Sequence, residues 1–376
     1  MLFRILLPEL RRCAGYAQRS VDIGGYMATL IDVAKRAKVS KSTVSLVVNN
    51  SPLVKEETRK RVLAAIDELE YVPNNNARGL ITKITKSIGV VVLVEDEDCD
   101  GYDFDKYARL FSTDITTGIY KALEDTDCSL LTENFSAKGA DGALPNLIKS
   151  KRVDGVIIIG SVFSDVFYEK MKECGLPFVM MGVGRMDLDA PTVVADAIMG
   201  SYLSVSYLLE KGHKNIAYLN CSKDFRSNPE HLCGLELAAK THKYEINRDW
   251  IINAKNHSGK AGYDAIKALW ESGARPDGIV VANATLALGA QRYMYEKKIY
   301  VPDDISIVVY GDSILCGYSF PALTAVNMQK EKMGYIATNL LKKMISGESV
   351  GNEATVIKPL MVERQSVRDR RSEDQN

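Results

Sequence analysis

The sequence lacks a long apolar run, a paired-cysteine motif and a net charge. Its 376 residues contain no stretch close to the roughly 18 consecutive apolar residues that a membrane-spanning helix needs, so a membrane protein is not indicated. The seven cysteines are odd in number and none has Cys-x-x-Cys spacing, which disfavours a disulfide framework and a zinc site. We therefore expect a cytoplasmic protein with reduced thiols, no metal and no cofactor.

The zero net charge hides an uneven distribution along the chain. Residues 28–86 carry eleven basic and six acidic side chains, and the remaining residues carry the opposite balance. A basic segment, here called the head, in an otherwise acidic chain is typical of a protein that binds phosphate groups through one domain only. The chain length favours two or three cooperating units.

Two short helices with a three-residue turn are predicted in the basic head. Thr29 and Asp32 have the spacing of a capping box, which predicts a helix start there. Ser40 is placed to cap a second helix over residues 41–49. The residues predicted to face inward are Ile31, Ala34 and Ala37 in the first helix, Val44, Val47 and Val48 in the second, and Val62, Leu63, Ile66 and Leu69 in a third helix over residues 55–70.

Helices with this spacing form a helix-turn-helix, in which the second helix enters the major groove of DNA. Lys41 and Ser42 would then read bases, while Thr43 and Ser45 would hold phosphates. The alternative is an ordinary helical hairpin with a solvated outer face.

The sequences IDVAKRAKVSKSTVS, Asn49-Asn50, YVPN and ARGL follow one another between Thr29 and Leu80. In order and spacing they closely resemble the head and hinge of the LacI/GalR family of bacterial regulators. The resemblance implies that Lys41, Ser42 and Leu46 read bases, although many members carry arginine where this chain has Leu46. The DNA contacts implied as a set are Thr29, Ser40, Lys41, Ser42, Thr43, Ser45, Leu46, Asn49, Asn50, Asn75, Ala77, Arg78 and Leu80.

Two segments beside the head, the sequence ARGL and residues 1–26, allow further predictions. ARGL resembles the family's hinge helix, whose leucine wedges into the minor groove of the operator; Leu80 is that residue, and the alternative is a linker leucine packed on the core. Residues 1–26 are expected to be an extension or a misplaced start, because Met27 opens a natural beginning.

From Ser87 onward, short apolar runs alternate with helical patterns in two successive series, which predicts two doubly wound parallel sheets. KRVDGVIIIG, EKGHKNIAYL, VPDDISIVVYGDS and FPALTAVNMQKEKMGYIA resemble the core signatures of the same family. The resemblance implies an all-α helix-turn-helix head on a two-lobed, periplasmic-binding-protein-like α/β core. The expected boundaries are 27–73 for the head, 74–86 for the hinge, 87–189 with 320–349 for the first lobe, 190–319 with 350–366 for the second, and 367–376 for a polar tail. The tail lacks leucine heptads, so we expect a dimer and not a coiled-coil tetramer.

The ligand cleft of the family should lie between the lobes, at the carboxyl ends of the strands. The resemblance makes five residues candidates for effector binding: Phe111, Asp196, His231, Asn283 and Asp312. Each of them could instead cap a helix or serve the fold. His231 stands where the family usually has arginine, and Ala284 and Gly311 replace acidic residues that commonly hold sugar hydroxyls. These departures disfavour a simple sugar as the effector. The alternatives are an oligosaccharide, an aglycone or a nucleoside, or the loss of tight sensing.

Enzyme functions are disfavoured. Gly311-Asp312-Ser313 resembles a hydrolase block, but all four histidines precede Ser313, whereas that chemistry uses a downstream base. Gly182-x-Gly184 lacks the third glycine of a dinucleotide site. We predict a homodimeric repressor that binds double-stranded operator DNA and a small-molecule effector; the alternative is a ligand-binding protein, or a regulator without tight sugar sensing.

Overall fold

The computed structural model describes residues 28–48, 51–71, 84–94, 104–136, 142–160, 163–182, 188–221 and 228–371. The described residues before position 82 form one compact unit and those after it form another. No helix within the described ranges is both long and apolar enough to cross a membrane. Residues 1–26 and most of the predicted hinge lie outside the described residues.

The described part of the head contains three helices, α1 (Leu30–Ala37), α2 (Lys41–Val48) and α3 (Glu56–Glu68). Its centre is formed by Val33, Val44 and Val62, one from each helix and each 0% exposed. The predicted capping box is confirmed, since Asp32 Oδ2 accepts hydrogen bonds from the backbone nitrogen of Thr29 at 2.9 Å and from its Oγ1 at 2.6 Å. Local capping and a shared valine core thus fix the start of α1 and its packing.

Two side chains predicted to be buried in the head are exposed. Ile31 is 41% exposed and Leu63 is 50% exposed. On α1 the buried face is Val33, Ala34 and Ala37, because the two small alanines let the helices approach closely while the adjacent valine fills the centre.

The first lobe contains a six-stranded parallel sheet with helices on its faces. Its strands are β1 (Ser87–Val94), β2 (Ser129–Ser136), β3 (Gly155–Ile159), β4 (Phe178–Met181), β5 (Thr192–Ala195) and β11 (Ala354–Ile357), in the order β11-β5-β4-β3-β1-β2. Its helices are α4 (Phe104–Leu123), α5 (Asn146–Lys149), α6 (Asp165–Glu173) and α12 (Lys330–Ile345). All five residues of β3 are buried, as expected of a central strand covered on both faces.

The second lobe repeats this architecture. Its strands are β6 (Ile216–Asn220), β7 (Ile251–Asn253), β8 (Gly278–Val281), β9 (Ser306–Tyr310), β10 (Thr324–Asn327) and β12 (Leu360–Val362), in the order β12-β10-β9-β8-β6-β7. Its helices are α7 (Ala197–Glu210), α8 (Asn228–His242), α9 (Gly259–Glu271), α10 (Ala284–Glu296) and α11 (Ile314–Tyr318). The strand β12 pairs antiparallel with β10, and the other described pairings are parallel. The predicted fold class is therefore confirmed.

The chain passes between the two sheets after β5, after β10 and after β11. The lobe boundaries predicted at 189/190, 319/320 and 349/350 are too early, because β5, β10 and β11 still pair within the sheet that the chain is about to leave. The predicted tail also begins inside the fold, since the backbone nitrogen of Arg370 donates to Lys211 O at 2.7 Å.

The helices α4 and α12 pack almost backbone to backbone on the first sheet. A Cβ atom at Gly118 would lie 1.8 Å from Glu331 O, and one at Gly334 would lie 2.1 Å from Ile115 O. Glycine is therefore required at both positions. This close contact fixes the start of α12 relative to α4.

Candidate nucleic-acid interface and interlobe cavity

The amino end of α2 presents polar side chains to solvent. Ser40 caps the helix, because its Oγ accepts a hydrogen bond from the Thr43 backbone nitrogen at 3.1 Å. Lys41 and Ser42 follow it and are exposed, while Val44 and Val47 are buried against the other helices. The helix is thus anchored by its apolar side with its first turn facing outward.

The other candidate contacts on α2 are Thr43, Ser45 and Leu46. The Thr43 hydroxyl lies 2.9 Å from Ser40 Oγ, so it takes part in the cap. Ser45 is half-buried and Leu46 is 38% exposed. The predicted contacts Asn49, Asn50, Asn75, Ala77, Arg78 and Leu80 lie outside the described residues.

The electrostatics of this surface suit phosphate. The first turn of α2 contains no acidic residue, so the positive end of the helix dipole is not offset there. Lys35 and Lys38 are exposed at the end of α1, whereas Arg36 is engaged with Glu68 on α3, with its Nη2 2.7 Å from Glu68 Oε2. The two lysines are therefore the cations of α1 best placed for a phosphate backbone.

A cavity lies between the two lobes of the core. Phe111 and Lys330 reach it from the helices of the first lobe, and the other lining residues come from the carboxyl ends of strands in the second lobe. The full lining is Phe111, Asn283, Ala284, Thr285, Tyr310, Gly311, Ser313, Leu315, Met328 and Lys330. Its volume is about 30 Å³, enough for one or two waters and too small for a sugar ring.

Two of the five effector candidates, Phe111 and Asn283, line this cavity. Asn283 also caps α10, since its Oδ1 accepts from the Leu286 backbone nitrogen at 2.9 Å and from Thr285 Oγ1 at 2.9 Å. Its Nδ2 lies 3.2 Å from His257 Nδ1. The amide oxygen is thus committed to the helix, and the amide nitrogen is held by a histidine.

Asp196 and Asp312 lie elsewhere. Asp196 is at the first crossing and caps α7, with its Oδ1 accepting from the Met199 backbone nitrogen at 2.8 Å. Asp312 lines an adjacent groove and forms an ion pair with Arg364, whose Nη2 donates to Oδ2 at 3.0 Å and whose Nη1 lies 2.9 Å from Oδ1. That paired geometry offsets the Asp312 charge.

His231 is buried inside the second lobe and is 4% exposed. Its Nδ1 lies 2.9 Å from Ser201 Oγ, which in turn lies 2.9 Å from Tyr218 OH. Burial lowers the pKa of His231 to about 4, so the imidazole is neutral near pH 7. Its ring packs edge-on against Tyr310, with 4.5 Å between the ring centres, which places it behind the cavity wall.

A buried thiol and imidazole also lie at the carboxyl edge of the second sheet. Cys221 Sγ is 3.4 Å from His257 Nδ1. Burial raises the pKa of the Cys221 thiol to about 12 and lowers that of His257 to about 4. Both groups are therefore neutral near pH 7, and this pair is not an activated nucleophile. Within the described ranges, no three His, Cys, Asp or Glu side chains are grouped as a metal site requires.

Lys330, Tyr310 and Ser313 line the cavity and were not among the sequence-based candidates. For Lys330 a signal existed: it shares one helical stripe with Met333, Ala337 and Leu341, which are all buried. A lysine in an apolar stripe at helical spacing is unusual and marks a position with a specific role. The other two residues carry no comparable signal.

Comparison with known proteins agrees with this architecture. The model of the lacI family of bacterial regulatory proteins matches residues 29–74, and that of a periplasmic binding protein-like domain matches residues 205–367. The HTH-type transcriptional repressor PurR of Klebsiella pneumoniae (strain 342) is 30% identical over 346 residues, which cover 91% of this chain and 98% of that protein. PurR of Salmonella paratyphi B matches at the same identity and coverage.

Solved structures of regulators show the same fold. The lac repressor dimer bound to operator and the anti-inducer ONPF superposes with a TM-score of 0.76 at 25% identity, covering 91% of this chain and 99% of that one. The complex of the transcriptional regulator CelR with cellobiose gives a TM-score of 0.65 at 26% identity, covering 90% and 99%. With its helix-turn-helix head and two-lobed core, this chain belongs to the lacI family of bacterial regulatory proteins.

Proposed function

We propose that this chain is a homodimeric repressor that acts in the cytoplasm, binds a pseudo-palindromic operator and responds to a small molecule between its lobes. The observation that carries the proposal is the amino end of α2, where Lys41 and Ser42 are exposed on a helix held from behind by buried valines. Lysine there can donate to guanine O6 and N7 in the major groove.

An exposed apolar surface supports the dimer. Ile314, Tyr318 and Phe320 on and after α11, here called the α11 patch, are 66%, 85% and 98% exposed. Large apolar side chains clustered this way mark protein interfaces. A two-fold dimer would place two copies of α2 at symmetric half-sites, and the lac repressor structure above is of a dimer on its operator.

The cavity supports control by a ligand. Because it is formed by both lobes and is only about 30 Å³ in volume, a metabolite can enter only if the lobes separate. Binding would therefore change the lobe angle, and this change would couple the cavity to the heads through the hinge. CelR, whose structure contains cellobiose, is a relative in which a ligand is present.

Selection of bound DNA from a random pool by the full chain, at fixed salt, tests the proposal. We expect a pseudo-palindrome whose half-sites lie about one helical turn, or 10–10.5 base pairs, apart. Recovery of sequences with no common element would contradict a sequence-specific regulator.

Contacts by Leu80 and the rest of the hinge remain predictions, and Leu80→Ala should weaken binding to the selected site.

A further inference from the structure

Lys330 is a charged residue in an apolar environment. It is the first residue of α12 and is 5% exposed. Removing an ammonium group from water costs several kcal/mol unless charged or polar partners replace the solvent. A cation at the positive end of a helix is also disfavoured by the helix dipole. The position of Lys330 is therefore unfavourable for the fold by itself.

The partners of Lys330 inside the first lobe offset this cost only in part. Its Nζ lies 2.6 Å from Asp114 Oδ2, and the Asp114 side chain is 43% exposed, so water screens that carboxylate. The Phe111 ring centre lies 5.6 Å from Nζ, within range of a cation–π contact. An ammonium has three donors, and one carboxylate does not use all of them.

The cavity beside Lys330 has a positive character. Among the described residues that line it, Lys330 is the sole charged side chain and no carboxylate is present. Asp312, in the neighbouring groove, is matched by Arg364 at 2.9 Å and cannot neutralise Lys330 as well. The amino end of α10, a helix of 13 residues, adds its positive dipole to the same cavity.

A second polar group in the cavity wall lacks a strong partner. Ser313 Oγ is buried and makes no hydrogen bond to a nitrogen or oxygen atom within the described part of the chain, and the weakly polar thiol of Cys316 lies against it. A buried hydroxyl left unsatisfied costs about 1–3 kcal/mol. Ser313 lines the cavity together with Lys330, so a ligand that accepts from both would satisfy them together.

We propose that the effector is an anionic metabolite whose phosphate or carboxylate group binds Lys330 and Ser313. Its apolar part lies against Phe111 and Tyr310, which line the same cavity. The inference rests on the proposed function because it names the chemical class of the effector. A neutral sugar fits less well, because carboxylates that would accept its hydroxyl protons are absent from the described lining.

Thermal unfolding of the full chain tests the charge requirement with simple probes. Inorganic phosphate and acetate are compared with chloride at equal ionic strength, and glucose 6-phosphate and gluconate are compared with glucose. We expect the phosphate probes, the carboxylate probes or both to raise the midpoint temperature of unfolding, while chloride and glucose do not. A phosphate effector is indicated if inorganic phosphate and glucose 6-phosphate stabilise the chain, and a carboxylate effector if acetate and gluconate do so. Stabilisation by glucose equal to that by its anionic relatives, or no stabilisation by any anion, overturns the proposal.

Variants assign the effect to the cavity. Lys330→Met keeps the apolar stripe and should weaken the anion response roughly 10-fold or more, as expected for the loss of a charged hydrogen bond. Ser313→Ala should weaken it by a smaller factor and provides an independent test should Lys330→Met fold poorly. Lys332→Met removes an exposed lysine two residues further along α12 and should leave the response unchanged. Equal losses in Lys330→Met and Lys332→Met would indicate a diffuse charge effect and refute the site.

Failure of this inference is distinguishable from failure of the proposed function. If the full chain selects an operator but no anion stabilises it, only the effector class is wrong. If no operator is selected, the regulator proposal itself fails, whatever the anions do.

Discussion

Acidification should destabilise the second lobe through two of its buried histidines, His231 and His257. They are 4% and 3% exposed, and burial lowers the pKa of each from 6.5 to about 4. The unfolded chain therefore takes up protons near pH 6.5, whereas the folded lobe does so only near pH 4. The stabilisation that comes from keeping these imidazoles neutral is fully present above pH 6.5 and is lost as the pH falls from 6.5 towards 4. Each histidine contributes a slope of about 1.4 kcal/mol per pH unit, or about 3 kcal/mol across the window.

The two tryptophans of the sequence, Trp250 and Trp270, both belong to the second lobe. Urea unfolding followed by tryptophan fluorescence at pH 4.5, 5.5, 6.5 and 8, values chosen to span the window, therefore reports on that lobe. His231→Gln should lose about 1 kcal/mol at pH 8 with its Ser201 hydrogen bond, but its slope below pH 6.5 should be shallower by about 1.4 kcal/mol per unit. Identical slopes in the native chain, His231→Gln and His257→Gln would refute the reasoning.

Three further changes test the head and the α11 patch. Thr29→Ala removes the capping hydroxyl of α1 and should cost about 1 kcal/mol, seen as roughly 5-fold faster amide hydrogen exchange across residues 30–48. Lys38→Ala should weaken binding to all DNA sequences alike and reduce the slope of log affinity against log salt by about 0.9, because exposed Lys38 is placed to neutralise one phosphate. Phe320→Asp should convert a dimer to a monomer in light scattering, because it buries two carboxylates in a two-fold interface.

Each of these three predictions has an outcome that would contradict it. Unaltered exchange in Thr29→Ala would show that the cap is not holding α1. A loss confined to certain DNA sequences would make Lys38 a base reader. A dimer that persists in Phe320→Asp, or that dissociates equally in Val166→Asp, an exposed change on α6, would exclude the α11 patch as the interface.

Strong local patterns predicted the elements of this fold well. The caps formed by Thr29 and Ser40, and the alternation of apolar runs with helices, predicted the head helices and both sheets, because these signals depend on nearby residues. The lobe crossings were placed too early because β5, β10 and β11 are edge or near-edge strands of four residues. Such short strands are assigned to a sheet by pairing with distant strands, which local pattern does not reveal.

The cavity was harder to predict than the fold. Phe111 and Asn283 line it, but His231 lies in the core behind Tyr310 and Asp312 is ion-paired with Arg364. Whether a polar side chain at the end of a strand faces a ligand or a neighbouring helix depends on tertiary partners. Sequence position alone does not distinguish the two.

The central claim is that α2 reads base sequence through Lys41, and methylation interference tests it most directly. Guanine N7 atoms of the selected operator are methylated before binding, which removes the N7 acceptor that a lysine would contact in the major groove. Methylation at one symmetric position in each half-site should prevent binding by the native chain. Binding by Lys41→Ala should be insensitive to methylation at that position alone. The same interference pattern in both proteins would contradict the account.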